Sequence, residues 1–137
     1  MSEKDWIPAG YPSVVPTLRA HGAERLLAFL QAVFEAEVPH CGKDESGRIN
    51  HAEVRIGQGV VEVSEANGAW PAIAASLHVF VPDADAAYRR ALEAGATSLY
   101  EPADMPYGER SGGVRDEFGN EWFISTFTRG AGRGYYD

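Results

Sequence analysis

The stretch from Ser76 to Thr126 reads as strand, helix, short strand and hairpin, and a fainter copy of that order fills the first half of the chain. Two copies of one unit each need their apolar faces covered, which narrows the fold class to α+β with a sheet in each half. In the second half, Leu77–Val81 alternates as a strand. Pro82-Asp83 then opens a helix, with Asp83 as its cap. Ala84, Ala87, Tyr88, Ala91 and Leu92 form the apolar stripe of this helix, and Gly95 ends it. A short strand at Thr97–Tyr100 and a loop with Pro102 and Pro106 lead to a hairpin of Gly112–Arg115 and Glu121–Phe127. Asp116–Asn120 turns that hairpin, with Gly119 taking the backbone angle the turn demands.

The first half follows the same plan. Pro12–Arg19 reads as a short strand in which Pro16 must sit where no ladder N–H is needed. A helix over Ala23–Glu35 places Leu26, Leu27, Leu30, Val33 and Phe34 on one stripe. A strand near Glu37–Cys41, a turn over Lys43–Arg48 and a hairpin over Ile49–Glu65 complete the unit. Both halves therefore read βαβββ, as modules at about 12–65 and 76–128 of a single 137-residue domain with loose, flexible ends.

Charge and composition narrow the partners. With 20 acidic against 12 basic residues the net charge is −8, the wrong sign for a nucleic-acid surface. No apolar run is long enough for a membrane span and the N-terminus lacks a signal-type apolar region, so a cytoplasmic location is expected. The single Cys41 rules out an internal disulfide framework and has no cationic helix start to activate it. Phosphate loops, G-x-S-x-G elbows and H-E-x-x-H helices are all missing from the sequence.

Four motifs carry a family resemblance: His51–Gly57, His78–Asp83, Tyr107–Gly113 and Asp116–Trp122. Over residues 12–128 the chain resembles the vicinal oxygen chelate superfamily of glyoxalase I, bleomycin-resistance proteins and extradiol dioxygenases, and within it the PhnB-like branch. The resemblance implies two tandem βαβββ modules forming cup-shaped mixed sheets, usually completed in a homodimer. In metal-dependent members, four ligands come from the first and last strands of the two modules. Carried over by motif, those positions are Val15, Glu62, His78 and Phe123, with Glu62 47 positions after Val15 and Phe123 45 after His78. Two of the four are apolar, and a catalytic divalent site takes at least three N or O donors from the protein. No cofactor is expected on that ground; a divalent metal, if held, would rest on Glu62 and His78.

What remains is a small-molecule cavity, for which aromatic and polar side chains are needed together. The candidates are Glu62, Trp70, His78, Tyr107, Arg110 and Trp122. Trp122 equally suits core packing, and Tyr107–Arg110 equally suits a turn with an internal ion pair. The expected function is binding of a small molecule, a toxic or antibiotic compound with a cationic, planar end being one possibility, for sequestration. The alternative is a metal-dependent lyase, isomerase or dioxygenase acting on vicinal oxygens, or a metal-free enzyme with His78 or Glu62 as base. A pure interaction module using Tyr135-Tyr136 is the third reading.

Overall fold

The structure is a computed structural model that describes residues 5–128. The Tyr135-Tyr136 tail and the rest of the C-terminal end, for which flexibility was expected, lie outside the described residues. The first module runs β1 (Thr17–Ala20), α1 (Ala23–Phe34), β2 (Glu37–Lys43), β3 (Ile49–Ile56) and β4 (Gly59–Glu65). The second runs β5 (Ser76–Phe80), α2 (Ala84–Glu93), β6 (Thr97–Met105), β7 (Glu109–Arg115) and β8 (Glu121–Phe127). The sheets have the orders β1-β4-β3-β2 and β5-β8-β7-β6, with only the β1–β4 and β5–β8 pairs parallel. These are the α+β tandem βαβββ modules expected from the sequence.

Each helix forms for reasons visible in its residues. All five expected stripe residues of α1 are buried, and Phe29 joins them. Its N-terminus has no side-chain cap of its own; instead Glu65, at the end of β4, accepts from Gly22 and Ala23 N–H at 2.9–3.2 Å. Those hydrogen bonds outweigh the upward push of burial and hold the Glu65 carboxyl below its usual range. In α2, Asp83 accepts from Ala86 N–H at 3.1 Å, as expected of a cap. Leu92 departs from expectation: it is exposed, and α2 buries only Ala84, Ala87, Tyr88 and Ala91.

The two modules share one core. Trp122 of β8 packs against Phe29 and Phe34 of α1 at centroid distances of 6.4 and 5.2 Å. From α2, the Arg90 guanidinium donates twice to Val33 O, at 3.0 and 2.8 Å, and so closes the C-terminal end of α1.

Several sequence expectations need correction, among them β2, which runs on to Lys43, and β7, which starts at Glu109 rather than Gly112. β1 begins at Thr17 rather than Pro12, because Pro16 lacks a donor and serves only as an acceptor, for Glu62 N–H at 2.8 Å. β6 extends through Pro102 to Met105, since the register shift between Tyr100 and Ala103 absorbs the proline. Within the N-terminal arm, Pro8–Tyr11 forms a turn, and Gly10 O accepts from Arg55 at 3.0 Å.

Candidate functional site

The alternation of each strand gives each sheet a helix-covered face and a concave face. On β8, Trp122 and Ile124 turn to the core while Phe123 and Ser125 turn to the concave side. On β7, Arg110 reaches Asp85 of α2, and Glu109 and Ser111 line the concavity.

The concave face of the first module is occupied by its own side chains. Arg55 is paired with Glu53 at 3.0 Å and lies 5.7 Å from the Tyr11 ring. The Tyr11 hydroxyl is bonded to Glu53, which raises its pKa above the ordinary phenol value. His51 lies 3.7 Å from Glu62, and the Thr17 hydroxyl donates to the same carboxylate at 3.4 Å.

The concave face of the second module is open and aromatic. His78, Tyr100, Met105, Tyr107, Glu109, Ser111 and Phe123 line a cavity of about 480 Å³, a size suited to a small molecule. Tyr100 and Phe123 stack at 6.3 Å with 20° between their planes, and His78 and Phe80 at 4.8 Å with 25°. Tyr100 and Ser111 share a 2.7 Å hydroxyl–hydroxyl bond. His78 Nε2 approaches Glu109 Oε2 to 3.0 Å, an ion-pair distance whose alignment falls short of a good hydrogen bond. Glu109 is only 1% exposed.

Two local features hold this cavity in shape. Gly113 lies beneath Tyr100, where a Cβ would stand 2.4 Å from Tyr100 Cε1, so only glycine lets the ring lie flat on the strand. Asp116, 5% exposed, takes hydrogen bonds from the Phe118 and Asn120 backbone, from Asn120 Nδ2 and from Trp122 Nε1. Asn120 Oδ1 in turn accepts from Ala75 N–H at 2.8 Å, which fixes where β5 begins and so where His78 stands.

Of the six expected site residues, the structure brings His78 and Tyr107 together in this cavity. Glu62 lies on the other concave face. Trp70, 62% exposed, stands 5.3 Å from the Arg19 guanidinium and lines a separate hollow of about 370 Å³ with Asp44 and Arg48. Arg110 faces α2 rather than the cavity: it is bidentate to Asp85 at 2.8 and 3.2 Å and meets Asp104 at 3.3 Å. Its guanidinium holds the Asp85 carboxyl below the usual range. Trp122 has no exposed surface; it backs the groove between the sheets from the core side. A larger groove of about 570 Å³ lies between the modules, lined chiefly by apolar residues such as Val14, Val60, Leu77 and Phe80. His78 is common to both hollows.

Tyr100, Met105, Glu109, Ser111 and Phe123 were not among the expected ligand-binding residues. Strand alternation counted from His78 and Phe123 would have found part of this set, and the Gly112-Gly113 pair inside a strand marks the close approach of a ring.

The donor set for a divalent metal follows from the register. Thr17 pairs with Glu62, and His78 with Phe123, each 45 positions apart. Thr17, two positions after Val15, is therefore the counterpart of His78, because the β1–β4 register sets Thr17 and not Val15 opposite Glu62. A hydroxyl, a carboxylate, an imidazole and a phenyl ring do not fit a divalent ion, with the carboxylate near His51 and the imidazole against Glu109. Among the described residues no three His, Cys, Asp or Glu side chains are placed to hold a metal. No described helix is long and apolar enough to cross a membrane.

A family model described as Glyoxalase/Bleomycin resistance protein/Dioxygenase superfamily matches residues 14–124. An uncharacterized protein of Mycobacterium tuberculosis strain H37Rv is 31% identical over 124 residues, 82% of this chain and 73% of that protein. The crystal structure of TioX from Micromonospora sp. ML1 matches with a TM-score of 0.70 at 26% identity, covering 85% of this chain and 98% of that one. The fosfomycin resistance protein FosX from Mesorhizobium loti matches with a TM-score of 0.63 at 18% identity, over 85% of this chain and 92% of its own, a likeness of fold alone.

Proposed function

We propose, since the chain belongs to the glyoxalase/bleomycin resistance protein/dioxygenase superfamily, that it binds a flat aromatic small molecule without a tightly held metal and sequesters it, a toxic or antibiotic compound being the natural cargo. The observation that carries this reading is the aromatic wall of the second concave face: Tyr100 stacked with Phe123, and Phe80 with His78. A planar ligand slid against such rings gains about 0.5–1.5 kcal/mol per aromatic pair beyond simple area burial. The apolar groove shared through His78 offers room for a non-planar remainder of the same molecule.

The metal-dependent lyase, isomerase or dioxygenase reading is less favoured, because the four strand positions supply one imidazole and one carboxylate on different sheets. Exposed Val14, Phe80 and Phe127 support a homodimer whose partner covers the open groove. The Tyr107–Gly113 and Asp116–Trp122 motifs support a place in the PhnB-like branch, and the net charge of −8 supports a small-molecule partner rather than nucleic acid.

The test is calorimetry and thermal shift with planar aromatic compounds, bleomycin among them, and with aliphatic fosfomycin as contrast, with and without a chelator. Stabilisation by aromatic compounds that the chelator leaves intact and Phe123→Ala weakens is the expected outcome. A stoichiometric divalent ion lost in both Glu62→Ala and His78→Ala, with turnover dependent on it, would overturn the reading.

A further inference from the structure

The hollow of about 370 Å³ beside Trp70 gathers Arg19 of β1, Arg48 of the β2–β3 turn, Asn50 of β3 and Ser64 of β4. Elsewhere in the first module Arg25 and Arg55 are paired with Glu117 and Glu53. Neither Arg19 nor Arg48 makes an ion pair with any described residue. Arg19 is held in place without being neutralised: its Nε donates to Pro71 O at 3.1 Å, and its guanidinium lies 5.3 Å from the Trp70 ring centroid. That leaves the two outer nitrogens of the fork, which match a planar oxyanion, without a described acceptor. Trp70 is exposed yet ordered, because Asn67 Oδ1 accepts from the Ala69 and Trp70 N–H groups, each at 2.9 Å. An aromatic fixed in this way loses little freedom when a ligand leans on it.

Two carboxylates also line the hollow, and both are engaged by their own surroundings. Asp44 Oδ1 accepts from the Ser46 N–H at 2.9 Å, the Ser46 hydroxyl at 2.6 Å and the Arg48 N–H at 3.0 Å. Glu65 caps α1 through Gly22 and Ala23. The side chains of Asn50 and Ser64 bond to no described residue, so the capacity left facing the hollow is chiefly N–H and O–H. Two cations stand against two anions, and recognition rests on directed donors rather than on bulk charge. We propose that Arg19 and Arg48 hold the oxyanion of a small aromatic acid, a phosphate or a carboxylate, whose ring lies against Trp70. This site is separate from the aromatic cavity of the second module and does not depend on the reading given for it. The fork of Arg19 supplies orientation, Arg48 a second charge-assisted contact and the indole a stacking surface.

The experiment titrates the full chain with phenyl phosphate, benzoate and uncharged benzyl alcohol, followed by calorimetry and by the Trp70 indole N–H signal in NMR. At least one anion should bind about 10–100-fold more tightly than the alcohol, the range expected of hydrogen bonds to a charged group, and should shift the Trp70 signal. The tighter of the two anions names the acid group of the ligand. Arg19→Gln and Arg48→Gln should each weaken that anion by about tenfold or more. Arg48 is exposed and its side chain bonds to no described residue, so Arg48→Gln keeps the fold and the test stands even if Arg19→Gln does not. Binding of neither anion, an alcohol bound as tightly as both, an affinity unchanged in either folded arginine variant, or a Trp70 signal that stays in place would overturn the proposal.

Discussion

Replacing Gly113 with alanine tests how the cavity is built. The added methyl would stand 2.4 Å from Tyr100 Cε1, 2.8 Å from Cδ1 and 3.1 Å from Cζ, against an optimal carbon–carbon separation of about 3.5–4.0 Å. Tyr100 must therefore move by roughly 1 Å or swing away, and it cannot do so and keep both its 2.7 Å bond to Ser111 and its stack on Phe123. Overpacking of this kind costs about 1–3 kcal/mol, in line with losing a hydrogen bond of about 1 kcal/mol and an aromatic pair of about 0.5–1.5 kcal/mol. The intrinsic effect of alanine for glycine inside a strand has the opposite sign, a gain of about 0.5–1 kcal/mol. In a Tyr100→Ala background the same substitution should therefore be neutral or stabilising. Urea unfolding of the two single variants and the double variant gives the coupling energy. A coupling near zero, with Gly113→Ala equally costly whether or not Tyr100 is present, would refute the claim that this glycine exists to seat the ring.

Three further outcomes follow from the same structure. Asp116→Ala removes the acceptor of the buried Trp122 Nε1–H and of three other donors; a loss of about 2–4 kcal/mol is expected by denaturant unfolding. Glu65→Ala should cost about 0.5–2 kcal/mol, since this carboxylate caps α1 from another element. Because its folded pKa is depressed, the wild-type contribution is fully present above the ordinary glutamate range and is lost as pH falls through the lower folded value, whereas Glu65→Gln should lack that pH dependence in a stability profile. Arg110→Ala should let the Asp85 carboxyl titrate nearer its ordinary value, seen by NMR, and leave aromatic-ligand affinity unchanged because Arg110 faces α2.

The fold was legible because its periodicities are local. The α1 stripe, the Asp83 cap and the two hairpins each rest on residues within a few positions of one another. The site was less legible, since its geometry depends on register. The β1–β4 register sets Thr17 and not Val15 opposite Glu62, and so makes Thr17 the counterpart of His78. The register of β7 decides that Glu109 enters the cavity while its neighbour Arg110 turns to α2. Likewise Trp122 and Phe123 are adjacent aromatics that only the pleat separates, one into the core and one into the concavity. Trp70 is beyond such reasoning altogether, because an Asx turn at Asn67 in the linker sets its position.

The seam that joins the halves, with Trp122 lodged against Phe29 and Phe34 and Arg90 closing α1, lies on the opposite side of the strands from every residue that meets the cavity. Cargo preference and foldedness are thereby assigned to alternate letters of the same strands. Descendants of such a chain can exchange one guest for another by rewriting every second residue, without reopening the joint that keeps the two halves together.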